Sequence, residues 1–417
     1  MMRARQGWAA AAVGGLLLLA TGARAQGVDR IWGTVTTVAG ERHEGFLRWD
    51  RNEASWADFL DGERDRDAEL QDRVAEWFGD ELPTGRAVEF MGVRISWDDD
   101  GPPPGAVEAG VRFGHLEWLQ PTSDGSARIG LKGGEEFELR GGSTDLGSDL
   151  RGIVVDRPGG GDVDLAWNDV DRIDFGAAPS SARPSADRLY GTVVDRWGDR
   201  WTGLISWDRD EALGSDVLDG EDPDGRDREL RFETVAEIAP RFEGGARVLQ
   251  RNGQEWILDG TNDVDDGHRG VQVSDPALGE IVIAWDDVDI VRFSTPPAVG
   301  GYDEFDGGRE LTGTVETEDG ARLTGRIIWD ADESRSWNVL NGWSRDVEFR
   351  IEFEHVARIE RASSRRARVI LRDGRELELD GSNDVNDENR GIVIETDDGS
   401  WEVVDWDGFV SVDFGGT

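Results

Sequence analysis

The sequence predicts an all-β chain of three tandem modules, and three observations predict it. A unit of about 120 residues recurs three times. Aromatic and β-branched residues alternate with polar ones over short runs, as strands with one buried face require. Asp-Gly and Asn-Gly pairs sit between those runs, where hairpins turn.

The chain opens with a stretch that predicts export. Arg3 and Arg5 precede an apolar run from Trp8 to Ala20, and Ala23-Arg24-Ala25 supplies a small-residue cleavage signal before Gln26. Residues 1–25 read as a secretory signal peptide. The run is shorter than the roughly 20 residues of a spanning helix, so no membrane insertion is expected after cleavage. The expected compartment is the periplasm or the extracellular space.

The first module is read over 28–176, the second over 189–294 and the third over 310–415. They open Trp32-Gly33-Thr34-Val35, Tyr190-Gly191-Thr192-Val193 and Thr312-Gly313-Thr314-Val315. Each continues to a Trp-Asp pair with an acid three residues later: Trp49-Asp50…Glu53, Trp207-Asp208…Glu211 and Trp329-Asp330…Glu333. Each then carries a polar loop ending in Arg151-Gly152, Arg269-Gly270 or Arg390-Gly391. The first copy is longer by about 40 residues, placed at about 63–106. Leu70, Val74, Trp77 and Phe78 in that insertion have helical spacing, and Pro102-Pro103-Pro104 closes it. A short helix and a strand are expected there. The segments 177–188 and 295–309 have the Pro, Ser and Gly content of linkers.

A second repetition lies inside each module. The pattern apolar, any, aromatic, two residues, apolar, two residues, apolar occurs six times. The instances are Val111-Phe113-Leu116-Leu119, Leu165-Trp167-Val170-Ile173, Leu230-Phe232-Val235-Ile238, Ile283-Trp285-Val288-Val291, Ile351-Phe353-Val356-Ile359 and Val404-Trp406-Phe409-Val412. A two-residue step fits one strand face and the three-residue steps fit a 3₁₀ turn. Each half also opens with a hairpin, as at Asn252-Gly253, Asp319-Gly320 and Asp373-Gly374.

A hairpin, a loop and a strand–3₁₀–strand closure resembles the small SH3-like and Sm-like barrels. That resemblance implies a pair of small barrels per module. One β-sandwich per module, with both halves on a common core, is the alternative. Halves of about 50 residues are marginal alone, so paired halves are expected to pack together.

Composition bounds the function. Against 46 basic residues stand 88 acidic ones, a net charge of −42, and Lys132 is the sole lysine. Such a chain repels nucleic acid, so the RNA binding of Sm-like proteins is not expected here. There is no cysteine, hence no disulfide, and packing must hold the fold.

The polar loops are the candidate sites. Asn262, Asp263, Asp265 and Asp266 in the second module, and Asn383, Asp384, Asn386 and Asp387 in the third, present the oxygens a Ca²⁺ loop needs. Their spacing departs from the EF-hand, and the first copy keeps few of them. A competing reading is a structural clamp, Asp145–Arg151, Asp263–Arg269 and Asp384–Arg390, in which a guanidinium pins the loop base. The Trp-Asp tryptophans sit in hydrophobic register and read as core. Trp56, Trp77 and Trp97, in or beside the insertion, are the sugar-stacking candidates. His43, His115, His268 and His355 are read as sharing no register, and no nucleophile elbow or phosphate loop occurs.

The expected function is therefore a non-catalytic binding or structural array whose partner is an envelope protein or a glycan. A calcium-stabilised repeat protein is the first alternative. A hydrolase acting on glycans or esters is the second.

Overall fold

The computed structural model describes residues 27–65, 89–90, 93–94, 106–141, 144–241, 244–297 and 300–415. The signal peptide read over 1–25, the helix read in the insertion, and Trp77 and Trp97 lie outside these residues. The chain is all-β: among the described residues each helical segment is a three-residue 3₁₀ turn.

The first module contains β1 (Trp32–Thr37), β2 (Arg42–Trp49), β3 (Phe59–Asp65), β4 (Glu89–Phe90), β5 (Val93–Arg94) and β6 (Ala106–Arg112). It continues with β7 (Leu116–Ser123), β8 (Ser126–Leu131), β9 (Glu136–Arg140), β10 (Ile153–Arg157), β11 (Gly161–Leu165) and β12 (Val170–Phe175). β4 and β5 pair with each other. The other ten form one sheet in the order β11-β10-β2-β1-β12-β7-β8-β9-β3-β6.

That order divides into two groups of five with the same plan, β11-β10-β2-β1-β12 and β6-β3-β9-β8-β7. The hairpin β1–β2 comes from the first half of the module, yet it lies against β12 and β10 of the second half. The hairpin β8–β9 comes from the second half and lies against β7 and β3 of the first. Each half thus lends its hairpin to the other. The second and third modules repeat this: Tyr190–Asp195 pairs with Val288–Phe293, and Thr312–Thr317 with Phe409–Phe414. The sequence pattern alone suggested halves that each close with their own hairpin, and the strand pairings correct this. Exchange ties together two units that are too small to hold alone.

The strands that follow the 3₁₀ turns meet at the centre of each module. There the last apolar residue of one half's pattern faces its counterpart: Leu119↔Ile173, Ile238↔Val291 and Ile359↔Val412. In the first module, residues from both groups of strands, among them Val35, Leu119, Leu139 and Ile173, belong to one buried apolar cluster. In all six instances the aromatic of the pattern starts a 3₁₀ turn and is buried, as at Phe113, Phe232 and Phe353.

The repeated glycines follow from the exchanged hairpin. Gly33 faces Gly45, Gly191 faces Gly203 and Gly313 faces Gly325. A Cβ on Gly203 would stand 2.2 Å from the Ser274 carbonyl oxygen of the neighbouring strand. That contact is with backbone, which cannot rotate away. Gly203→Ala is expected to destabilise the protein by about 1–3 kcal/mol, the usual cost of overpacking, read as a lower urea midpoint at unchanged slope.

The modules do not hang as separate beads. Strand Gly279–Ile283 of the second pairs with Val347–Glu352 of the third, setting Glu280 opposite Arg350 and Ile281 opposite Phe349. These two modules thereby share one 18-stranded sheet. Arg350 is buried, and its guanidinium reaches Asp61 of the first module at 2.6 Å and Glu280 of the second at 3.1 Å. One arginine therefore joins all three modules.

Further arginines bridge in pairs. Arg48 grips Asp216 with two bonds of 2.7 and 2.8 Å, Arg375 grips Asp275 at 2.8 and 3.1 Å, and buried Arg188 meets Asp58 at 3.0 Å. The segment between the second and third modules runs over the first. Lys132 bonds the carbonyls of Tyr302 and Phe305, and Tyr302 donates its hydroxyl to the Leu116 carbonyl at 2.9 Å. Phe305 packs where a Cβ on Gly114 would stand, 2.2 Å away.

Candidate functional site

The three Trp-Asp pairs build the same corner. Trp49, Trp207 and Trp329 are fully buried. Each indole donates to a carbonyl of the polar loop, Asp145, Asp263 or Asp384, at 2.9, 2.9 and 3.0 Å. The residues after each tryptophan turn through two left-handed conformations, Asp50-Arg51, Asp208-Arg209 and Asp330-Ala331. This is the hairpin turn that matches strand twist, and Asp tolerates it well. The turn aims the Asp carboxylate at the loop's closing arginine.

The expected clamp therefore has a different partner. Arg151, Arg269 and Arg390 close on Asp50, Asp208 and Asp330, through the backbone N–H and the guanidinium together. The loop carboxylates Asp145, Asp263 and Asp384 point instead at a strand, accepting the backbone N–H of Asp61, Asp219 and Asn341 at 2.7, 2.8 and 2.6 Å. Sequence spacing brought the right arginine to the loop base but could not see a carboxylate on a turn distant in sequence.

The calcium candidates spread over different tasks. Asp263 and Asp384 face inward as described. Asn262 and Asn383 donate side-chain amides to Asp208 and Asp330. Asp265 and Asn386 bond the backbone two residues on, to Gly267 at 3.0 Å and Glu388 at 2.8 Å, as Asx turns do. Asp266 and Asp387 are exposed.

A buried acid accompanies each corner. Glu53, Glu211 and Glu333 each have an Oε2 that is enclosed and without a partner among the described residues. Burial pushes Glu211 up to about 9, helped by Asp263 and Asp210. Burial likewise raises Asp263 to about 6. Glu53 and Glu333 are raised well above the usual range by burial first and neighbouring carboxylates second. In the third module, oxygens of Asp330, Asp332 and Glu333 lie within 4.8 Å of one another. Arg390 already bonds both Asp330 and Asp332, so a cation there would have to compete with a guanidinium.

Trp56 is 1% exposed and packs on Phe175 and Tyr302, so it has no face to offer a sugar. Trp197 is the exposed tryptophan among the described residues, at 37%, and the guanidiniums of Arg196 and Arg345 lie over its ring.

The junction of the three modules holds a cavity of about 130 Å³. Asp29, Ser55 and Arg112 come from the first module, Tyr190 and Ser274 from the second, and Glu354 and His355 from the third. Two equivalent corners meet here. Arg112 ends β6 just before the 3₁₀ turn Phe113–His115, and Glu352 holds the same place before Phe353–His355. They carry opposite charge and pair, Arg112 Nε to Glu352 Oε2 at 3.2 Å, with both side chains almost fully buried. His115 Nε2 lies 3.1 Å from Glu352 Oε1, while its Nδ1 accepts the Gly307 N–H at 3.1 Å. Accepting at Nδ1 places the ring proton on Nε2, directed at Glu352.

Burial would raise Glu352, but Arg112 and the His115 hydrogen bond prevail and hold it at about 2. Burial raises Glu354 to about 7, with the Glu352 charge adding to it. Burial lowers His355 to about 4, so the ring is neutral near pH 7. Asp29 is raised, chiefly by burial.

These residues escaped the sequence reading, although a signal existed. His115 and His355 both stand two places after the pattern's aromatic, so the four histidines do include a matched pair. Arg112 and Glu352 both stand one place before it. Matched register with complementary chemistry marks corners that could meet. No protein-family model matches the chain, and it is similar to no curated protein and to no solved structure.

Proposed function

We propose that the chain is an exported, non-catalytic binding or structural protein of the cell envelope. In this reading three SH3-like paired-barrel modules form one acidic body, and its partner is an envelope protein or a glycan. The strand order β11-β10-β2-β1-β12, with a 3₁₀ turn before the last strand, supports the SH3-like assignment. The junction carries the functional reading: residues of all three modules line one cavity, and interlocking arginines hold those modules together. Binding there requires the assembled body rather than any single module. The test uses the mature chain as bait against envelope extract and a glycan panel, beside a screen of glycan and ester substrates. Saturable capture that is lost when the modules are separated supports the proposal. Turnover of a substrate would overturn it.

Calcium stabilisation is the second reading, favoured by the convergence of Asp330, Asp332 and Glu333. Screening of a chain of charge −42 predicts equal rises in melting temperature for CaCl₂ and NaCl at matched ionic strength. A clearly larger rise with calcium would instead show a specific site.

A further inference from the structure

The three modules treat one equivalent position differently. Phe137, Trp256 and Leu377 hold the same register in their hairpins, opposite Ile129, Val248 and Val369. In the first module the guanidinium of buried Arg64 lies over the Phe137 ring, 5.8 Å from its centre. In the second, the guanidinium of Arg228 lies over Trp256 at 4.5 Å, with its Nε bonded to Asp222 at 2.9 Å. Leu377 of the third module instead borders a cavity of about 210 Å³.

Strand register accounts for the cavity. Arg64 stands opposite Val107 as Ser344 stands opposite Val347, and Arg228 stands opposite Gly220 as Phe349 stands opposite Gly342. The two positions that supply a covering arginine elsewhere are thus a serine and a phenylalanine here, and both line the cavity. The second module completes the wall with Trp197 and Trp201, the latter edge-to-face with Phe349 at 5.4 Å. Arg345 also lines it, but its guanidinium is engaged by Asp199 at 2.8 Å and by the Trp197 ring. Glu376 and Glu378 flank Leu377 in sequence and line the same space. Their own partners, Arg368 and Arg366, form exposed pairs with them, and such pairs contribute little and exchange readily.

The ligand's chemistry follows from that comparison. A guanidinium is planar and weakly hydrated, so it stacks on aromatic faces, and a carboxylate can take it with two parallel bonds. Tryptophan rings and carboxylates around one space offer both. The volume lies below the roughly 300 Å³ at which drug-sized sites begin, which suits a single side chain. We propose that this cavity, between the second and third modules, binds a guanidinium group presented from outside the chain. That group takes the place which Arg64 and Arg228 fill in the other two modules. An arginine side chain of a partner polypeptide and a free alkylguanidinium share this chemistry.

This site is distinct from the junction cavity, so either reading can fail without the other. The experiment is calorimetric titration of the full mature chain with N-acetylarginine amide, propylguanidinium, N-acetyllysine amide and N-acetylcitrulline amide. In about 0.15 M NaCl the general attraction of an acidic body for cations is screened beyond about 8 Å and treats arginine and lysine alike. One site per chain is expected, with a guanidinium probe bound about tenfold more tightly than the lysine and citrulline probes. Whichever guanidinium probe binds more tightly identifies the source, a polypeptide side chain or a free molecule. Ser344→Arg supplies the covering guanidinium from within, as Arg64 does, and is expected to abolish binding without lowering the melting temperature. The paired change Glu376→Gln, Glu378→Gln is expected to weaken binding about tenfold. No binding of either guanidinium probe, equal binding of the lysine or citrulline probe, or full affinity in both folded variants would overturn the proposal.

Discussion

Arg350→Ala is expected to destabilise the protein by about 3–5 kcal/mol, the cost of removing one partner from a buried ion pair. The cause is what remains. Asp61 and Glu280 are 5% and 1% exposed, and each would face the other with its guanidinium gone. In the intact protein burial disfavours the charged arginine, but Asp61 and Glu280 outweigh it and raise Arg350 further above its ordinary range. Because the three residues belong to three modules, the loss should also uncouple them. Urea unfolding is expected to split from one transition into at least two. The triple variant Asp61→Asn, Arg350→Met, Glu280→Gln should recover much of the loss, since it removes the two carboxylates that Arg350 bonds. A single unshifted transition in Arg350→Ala would show that the junction is held elsewhere.

The second large effect is on pH dependence. Glu211 rises from about 4.5 unfolded to about 9 folded. The folded state therefore keeps a proton that the unfolded chain gives up. Its contribution is fully present below about pH 4.5 and is lost as pH rises towards 9. At pH 7 the loss relative to pH 4 is on the order of 3 kcal/mol. Glu211→Gln cannot titrate, so it should gain on the parent by about that amount between pH 4 and pH 7. Urea midpoints at pH 4, 5.5, 7 and 8.5 measure it. Parallel midpoints for parent and variant would mean that Glu211 is ionised in the folded protein.

Much of the fold is legible in the sequence, because local chemistry carries it. The six-fold aromatic pattern marks six of the eight 3₁₀ turns among the described residues, with their flanking strands, since a strand face and a 3₁₀ turn each impose their own step. Leu119, Ile173 and their equivalents fill the last position of that pattern and meet across every module centre. Exchange of the hairpins is not legible in the same way. The two halves are alike, so Val193 matches a strand from either half equally well in hydrophobic pattern. Only chain geometry decides between them.

The corners show the same division. Trp49, Trp207 and Trp329 are readable as core from register. Choosing Asp50 over Asp145 as the partner of Arg151 needs the left-handed turn at Asp50-Arg51, which side-chain type alone does not announce. The junction was the least legible part. Arg350, Asp61 and Glu280 look like three of many surface charges until modules are packed together.

Hairpin exchange within each module is the central structural claim, and the lack of native cysteine makes it directly testable. Thr192 faces Arg292 across antiparallel strands, a separation of about 4.5–5.5 Å that a disulfide can span. Ala239 occupies the matching place in the strand that would face Thr192 if the half closed on itself. Thr192→Cys with Arg292→Cys should oxidise to a cross-linked monomer in the folded protein, and Thr192→Cys with Ala239→Cys should not. The reverse outcome, a bridge from position 192 to 239 and none to 292, would contradict the exchange.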